Sequence, residues 1–378
     1  MSDPIYLDHN ATTPVADGVR EAMIPWLGAS FGNPSSGHVF GRRAAEAVAE
    51  ARGHVASLVG AEPSQIIFTG GGTEADNLAV RRTVVVRQRI VTSSVEHPAV
   101  EEPARALQAD GWQWDSLSVD SRGRVDLDRA ASVLATPTGL LSVILGQNES
   151  GVLQPIAELA ALARAASSDV LVHSDGAQAV GKVPVDVDAL GVDLLTIVSH
   201  KLYGPCGIGA LFVRKPGTVR GWALGGGQEQ AVRPGTEPTP MVVGLGEACR
   251  LAAADLDQEA SRQAALRDRM QAVLAAGVPG LRVTGEGAAR LPNTLHVCFP
   301  SVAGRALLGA VSEIAASTGS ACHADGGGGG MLGAMGVPAD LAQGAVRLSV
   351  GRRTSTADVE RAASSLVAAW RALTSRAP

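Results

Sequence analysis

At 378 residues the chain is long enough for roughly two domains, each able to bury a core without disulfides or a structural metal. Hydrophobic residues make up 46% and charged residues 18%, and a net charge of −5 without any basic, aromatic-laced stripe argues against a nucleic-acid or anionic-membrane surface. Met1 to Asn10 has no basic and apolar leader pattern, no apolar stretch approaches the ~20 residues of a membrane span, and the four cysteines lie far apart without zinc-ligand spacing; a cytoplasmic protein in a reducing compartment is expected.

From about Asp17 to Arg250, amphipathic helical runs alternate with short apolar runs, the pattern of an α/β domain around a mostly parallel sheet. The predicted strands are Gln65 to Thr69, Arg89 to Ser93, Leu140 to Leu145, Val170 to His173, Leu194 to Val198 and Ala210 to Val213. Most end in polar or glycine residues, and such folds bind ligands beyond the carboxyl ends of their strands. After about Cys249, Leu251 to Ala276 reads as one helix leading into a second unit, with strands near Asn293 to Phe299 and Ala345 to Val350. A five-glycine run, Gly326 to Gly330, reads as a loop, because so much backbone entropy is lost inside an element.

Several strand ends carry chemistry. Gly70-Gly71-Gly72-Thr73-Glu74 follows the first strand and opens a helix, which is either an anion cradle of backbone N–H groups or a tight βα turn. It lacks the spacing of a dinucleotide site and the lysine of a P-loop, so any anion there is a single phosphate. His97 ends the next strand, where a flat imidazole can stack on a ring and shuttle protons, or serve the fold alone. Asp175 ends another, with Gln178 one helical turn on. A buried carboxylate wants a cation, for which a pyridinium nitrogen would serve, whereas a helix N-cap is the plainer role.

The chain has only three lysines, Lys182, Lys201 and Lys215, among many arginines, so any amine that condenses with an aldehyde must be one of these. Lys201 stands just past the Leu194 to Val198 strand, in Ser199-His200-Lys201-Leu202-Tyr203-Gly204-Pro205. Cys322 follows small residues and precedes the glycine run, a setting for an exposed thiol with His323 beside it to favour the thiolate; a chance surface cysteine is the other reading. Cys206 competes through its nearness to Lys201, but Pro205 and Gly207 hold it in a fixed turn. Arg347 interrupts an apolar strand pattern and wants a carboxylate, either a substrate's or the protein's own.

Together these residues resemble the cysteine desulfurases and selenocysteine lyases, a branch of the class V aminotransferases. The resemblance covers nearly the whole chain and is carried by Tyr6-Leu7-Asp8-His9-Asn10-Ala11-Thr12-Thr13-Pro14, Gly72-Thr73-Glu74-Ala75-Asp76-Asn77, Glu96-His97-Pro98, Asn148-Glu149-Ser150-Gly151, His173-Ser174-Asp175-Gly176-Ala177-Gln178, the Lys201 segment and Gly319-Ser320-Ala321-Cys322. It implies an α/β fold-type I pyridoxal-phosphate enzyme: a large cofactor-binding domain over 15–250 with a mostly parallel seven-stranded sheet, and a smaller α+β domain from 1–14 and 251–378 that carries the cysteine loop.

By the same resemblance, Lys201 joins pyridoxal 5'-phosphate covalently, His97 stacks on its ring, and Asp175 pairs with the ring nitrogen. Asn148 and Gln178 bond the ring hydroxyl. Gly72, Thr73, Ser199 and His200 hold the phosphate, aided by Thr236 of a second copy, so a homodimer is implied. Arg347 and Asn148 bind the substrate, L-cysteine or L-selenocysteine. Cys322 receives the sulfur as a persulfide and passes it to an acceptor protein. Many desulfurases have a serine where this chain has Val198, with Ser199 only adjacent, and the segments around Arg233 and Cys322 look more like selenocysteine lyases.

Overall fold

The computed structural model describes residues 4–319 and 330–375. Seven strands form the large sheet: β1 (Ile66–Thr69), β2 (Arg89–Ser93), β3 (Gln113–Leu117), β4 (Leu140–Ser142), β5 (Leu171–Asp175), β6 (Leu194–Val198) and β7 (Gly209–Val213). They lie in the order β1-β7-β6-β5-β4-β2-β3. Only β7 runs against its neighbours; the other pairings are parallel. Both faces are covered, which is why the central strands are buried along nearly their whole length and rich in apolar residues. On β6, for example, Leu195 and Ile197 join a core with Val55 and Leu159, while Leu194 joins one with Leu78 and Leu211.

Five of the six expected strands in this sheet both begin and end within two residues of the observed bounds; the Leu140 run leaves the sheet at Ser142 instead of Leu145. Gln113–Leu117 was not expected. It is an edge strand of mostly polar residues, so it lacks the apolar run that marked the others.

The second unit contains a three-stranded antiparallel sheet of β8 (Arg282–Val283), β9 (Thr294–Cys298) and β10 (Ala345–Ser349), ordered β10-β9-β8. Ile5–Tyr6 pairs in parallel with Ile314–Ala315, which brings the start of the chain to this unit. Its core joins Leu7, Leu295, Val297 and Leu348 to Leu266, Met270 and Leu274 of one helix and Val359 and Leu366 of another.

The connecting helix spans Thr239–Gly277 and so begins at Thr239 where Leu251 was expected. Its early half, Val242 to Cys249, packs into the large-sheet core, and its later half, from Leu266, into the second. Gly244 and Gly246 weaken the helical pattern of this first part, but they are there for contact. A Cβ at Gly246 would lie 2.5 Å from the Ala51 Cα of the neighbouring Val39–Leu58 helix. Among the described residues no helix is long and apolar enough to cross a membrane.

Candidate active site

The carboxyl ends of β1, β2, β4, β5 and β6 converge on a cavity of about 350 Å³ whose lining includes Gly72, Thr73, His97, Asn148, Asp175, Gln178, His200, Lys201 and Arg347. Asp175 is the last residue of β5 and Arg347 lies within β10, while most of the others stand on short pieces of backbone that follow a strand. β6 turns directly into a single 3-10 turn, Ser199–Lys201, which carries His200 and Lys201 into the opening. The segment stays there because the Thr13 hydroxyl bonds both the His200 carbonyl (3.0 Å) and the Tyr203 N–H (2.9 Å), while Tyr203 itself takes φ +66°.

The Lys201 Nζ donates to the Asn10 and Ala11 carbonyls at 2.6 and 2.7 Å. Burial, then the Arg347 guanidinium, push its amine down to about 8, which keeps a usable neutral fraction near neutral pH. Burial and the Lys201 charge lower His200 to about 4, and its Nδ1 lies 3.1 Å from the Thr12 hydroxyl.

Asp175 is 3% exposed and accepts from the Ala177 N–H at 2.9 Å. Burial raises its pKa; the bond from Ala177 and the nearness of His97 and Lys201 oppose that. Among the described residues no arginine, lysine or histidine forms an ion pair with it. His97 caps the Pro98–Ala109 helix: its Nδ1 accepts from the Ala99 N–H at 3.1 Å. Burial lowers its pKa, so the ring is neutral near pH 7 and carries its proton on Nε2.

Beneath these groups lies a buried polar layer. His173, wholly buried, sits 2.8 Å from the Ser142 hydroxyl and 3.1 Å from the Thr196 hydroxyl, and burial holds its pKa near 3. Asp76, whose Oδ1 has no hydrogen-bond partner among the described residues, lies 3.6 Å from His173 and is raised by burial and by Asp175. Glu96 accepts from the Ser93 hydroxyl and from the Ile144 N–H (3.0 Å); burial pushes it up to about 8.

The phosphate cradle expected at Gly72 and Thr73 opens the Gly72–Arg81 helix at the cavity wall. Ser199 is different. Strand alternation turns Val198 toward Gly72 and the cavity, so the Ser199 hydroxyl is buried on the other side, under Gly204 and without a hydrogen-bond partner among the described residues. Thr236 is exposed and does not line the cavity, in a loop tied back by an Arg233–Glu74 contact of 3.3 Å. Cys322 lies outside the described residues, and so do His323 and Gly326 to Gly329.

Arg347 donates to Asp8 at 2.7 Å and to the Asn148 carbonyl at 3.0 Å, while its Nε has no hydrogen-bond partner among the described residues. Its alternative role as an internal salt bridge is therefore real, and among the described residues three of its five N–H groups remain for another acceptor. Sequence reading passed over Asn10 as a working residue. Its backbone carbonyl receives Lys201, and its side chain is fixed by Thr294 (2.8 Å) and Asn293 (2.9 Å). Its place in the Tyr6 to Pro14 motif was the available signal.

Comparison with known proteins agrees with this geometry. Residues 5–362 match the class-V aminotransferase family. A cysteine desulfurase IscS of Anaeromyxobacter sp. (strain Fw109-5) is 42% identical over 100% of this chain and 95% of its own length. A mouse cysteine desulfurase is 40% identical over 94% of this chain and 79% of its own. Among solved structures, a NifS-like protein superposes with a TM-score of 0.89 at 33% identity, covering 98% of this chain and 99% of that one. A structure described as SspA in complex with cysteine gives 0.80 at 32% identity, over 91% and 98%. The chain belongs to the class-V aminotransferase family and, within it, to the cysteine desulfurases.

Proposed function

We propose that the cavity holds pyridoxal 5'-phosphate, on which this family depends, joined to Lys201, and that the chain converts L-cysteine to L-alanine while Cys322 takes the sulfur as a persulfide. The observation that carries this reading is the convergence of Lys201, Asp175, His97 and Arg347 on one cavity. The residues fit the cofactor on their own terms. Asp175 is a buried carboxylate without a cationic partner among the described residues, as a pyridinium nitrogen requires. In the same cavity lining, the Gly72 backbone opens a ten-residue helix with Thr73 beside it, as a phosphate requires.

When bound, the cofactor supplies a sink for the electrons left at the substrate Cα. Asp175 would face its ring nitrogen, His97 its ring face, and Asn148 and Gln178 its ring hydroxyl. Gln178 has one Nε2 hydrogen left for that bond, since the other goes to the Asn10 carbonyl at 2.9 Å. Gly72, Thr73 and His200 would take the phosphate, with Thr236 of a second copy; an exposed Thr236 supports that homodimer.

Arg347 would orient the substrate carboxylate. Lys201 is the better acceptor for the Cα proton, because the neutral His97 already carries a proton on Nε2 and its Nδ1 is engaged by Ala99. The Cys322 thiolate then attacks the substrate sulfur; the carbon–sulfur bond breaks, a sulfur–sulfur bond forms, and the released carbon takes a proton to become the methyl group of alanine. An acceptor protein would collect the persulfide sulfur. Val242 to Cys249 joins one core and Leu266 to Leu274 the other, which supports a large domain over 15–250 and a small one from 1–14 and 251–378, with Cys298, Met331 and Ala345 of the small one packing onto the large-sheet core.

Cys322→Ala tests the sulfur step. The variant is expected to keep its cofactor and its colour but to release no alanine from L-cysteine; turnover at the normal rate removes Cys322 from the mechanism. Assay of the unaltered enzyme with L-selenocysteine in parallel decides which of the two amino acids it prefers.

A further inference from the structure

Of the three lysines, Lys215 is exposed, but Lys182 is buried at 8% exposure and plays no part in the reaction described above. A buried lysine is costly unless its amine has a purpose-built environment. Here Nζ donates to the Gln178 Oε1 at 2.8 Å, and among the described residues it forms no ion pair. The charged and titratable groups around it are Lys201, Arg347, His9 and His200, with no carboxylate among them. Burial, then the Lys201 and Arg347 charges, bring its amine down to about 7, yet charged or neutral it keeps an N–H to donate.

That bond belongs to a continuous chain. Gln178 passes from Lys182 to the Asn10 carbonyl through its Nε2 (2.9 Å), and the same carbonyl oxygen receives the Lys201 Nζ at 2.6 Å. The amide can face only one way, since turning it over would set Oε1 against the Asn10 oxygen.

We infer that Lys182 is a positioning residue for the cofactor lysine: it satisfies the Gln178 Oε1 and so holds that amide across the oxygen on which Lys201 rests. Without a donor at 182, Gln178 must leave the Asn10 carbonyl to find a partner for Oε1. Lys201 then has that oxygen to itself and is held more tightly, and the Gln178 hydrogen meant for the ring hydroxyl is turned away. The inference rests on the cofactor reading given above.

The test uses the full chain freed of cofactor. Pyridoxal 5'-phosphate is added, samples are reduced with borohydride at intervals, and label on Lys201 is quantified by peptide mapping alongside the melting temperature. Lys182→Met keeps the buried stem but cannot donate. It is expected to capture the cofactor about tenfold more slowly, with a melting temperature equal to or above that of the native chain. Lys182→Gln, which can donate, is expected to recover most of that rate. A role in packing alone predicts the opposite, with Met harmless and Gln no better.

Equal capture by native chain and Lys182→Met, or equal loss in Met and Gln, overturns the inference while leaving the cofactor site intact. Absence of Lys201 label in the native chain overturns both. Should Lys182→Met fail to fold, Lys182→Gln and Lys182→Glu make the comparison, since the ionised Glu can only accept. Gln must then exceed Glu by about tenfold, and equal rates refute the assignment.

Discussion

Arg347 and Asp8 stand 339 positions apart in sequence, yet the guanidinium Nη2 donates to the carboxylate Oδ1 at 2.7 Å. The contact joins the Asp8 segment to β10 at a residue of the cavity lining. It also holds the Arg347 fork in one orientation, with its remaining N–H groups available to a substrate carboxylate.

Arg347→Lys should therefore keep the charge and lose the fork. The kcat/KM for L-cysteine is expected to fall roughly 10- to 100-fold, mostly through KM, with cofactor content unchanged. Steady-state kinetics check this; a fall confined to kcat would mean that Arg347 acts on the chemistry and not on binding.

Gly72→Ala sets two effects against each other. Alanine favours a helix over glycine by ~0.5–1 kcal/mol, but its Cβ would lie 2.6 Å from the Val198 Cγ2, and overpacking costs ~1–3 kcal/mol. The clash should win, lowering both stability and affinity for the cofactor. Adding Val198→Ala removes the clash and should restore most of the stability, with denaturant melts as the measure. No coupling between the two positions would contradict the contact.

Glu96 gives a pH signature. Its folded pKa of about 8 exceeds the ordinary 4.5, so its contribution to stability is complete below about 4.5 and is lost as pH rises through about 8. Glu96→Gln mimics the protonated acid and should flatten that decline, gaining on the native chain by up to ~1.4 kcal/mol per pH step in this window. Urea unfolding between pH 5 and pH 9, roughly the span of that window, checks it; parallel curves would show that the carboxyl ionises freely.

The strand ends, and with them Lys201, Asp175, His97 and the glycine turn, were legible because each announces itself locally: an apolar run followed by a reactive or flexible residue. Val198 and Ser199 show where this stops. Which of two neighbours faces the cavity depends on strand alternation measured against Gly72, and adjacency in sequence does not decide it. Asn10 was hidden for a related reason, since the hydrogen bonds to its carbonyl come from 168 and 191 residues away, and Lys182, which bonds Gln178 only four residues off, gains its meaning through that same distant carbonyl. The Gln113–Leu117 edge strand lacked an apolar run, and the glycines of Thr239–Gly277 disguised close helix packing as a break.

The most direct measurement is reduction of the cofactor-loaded chain with borohydride, followed by peptide mapping. Lys201 alone is expected to carry the pyridoxyl label, at close to one equivalent per chain. Label on Lys182, on Lys215 or on no lysine would contradict the assignment of this cavity.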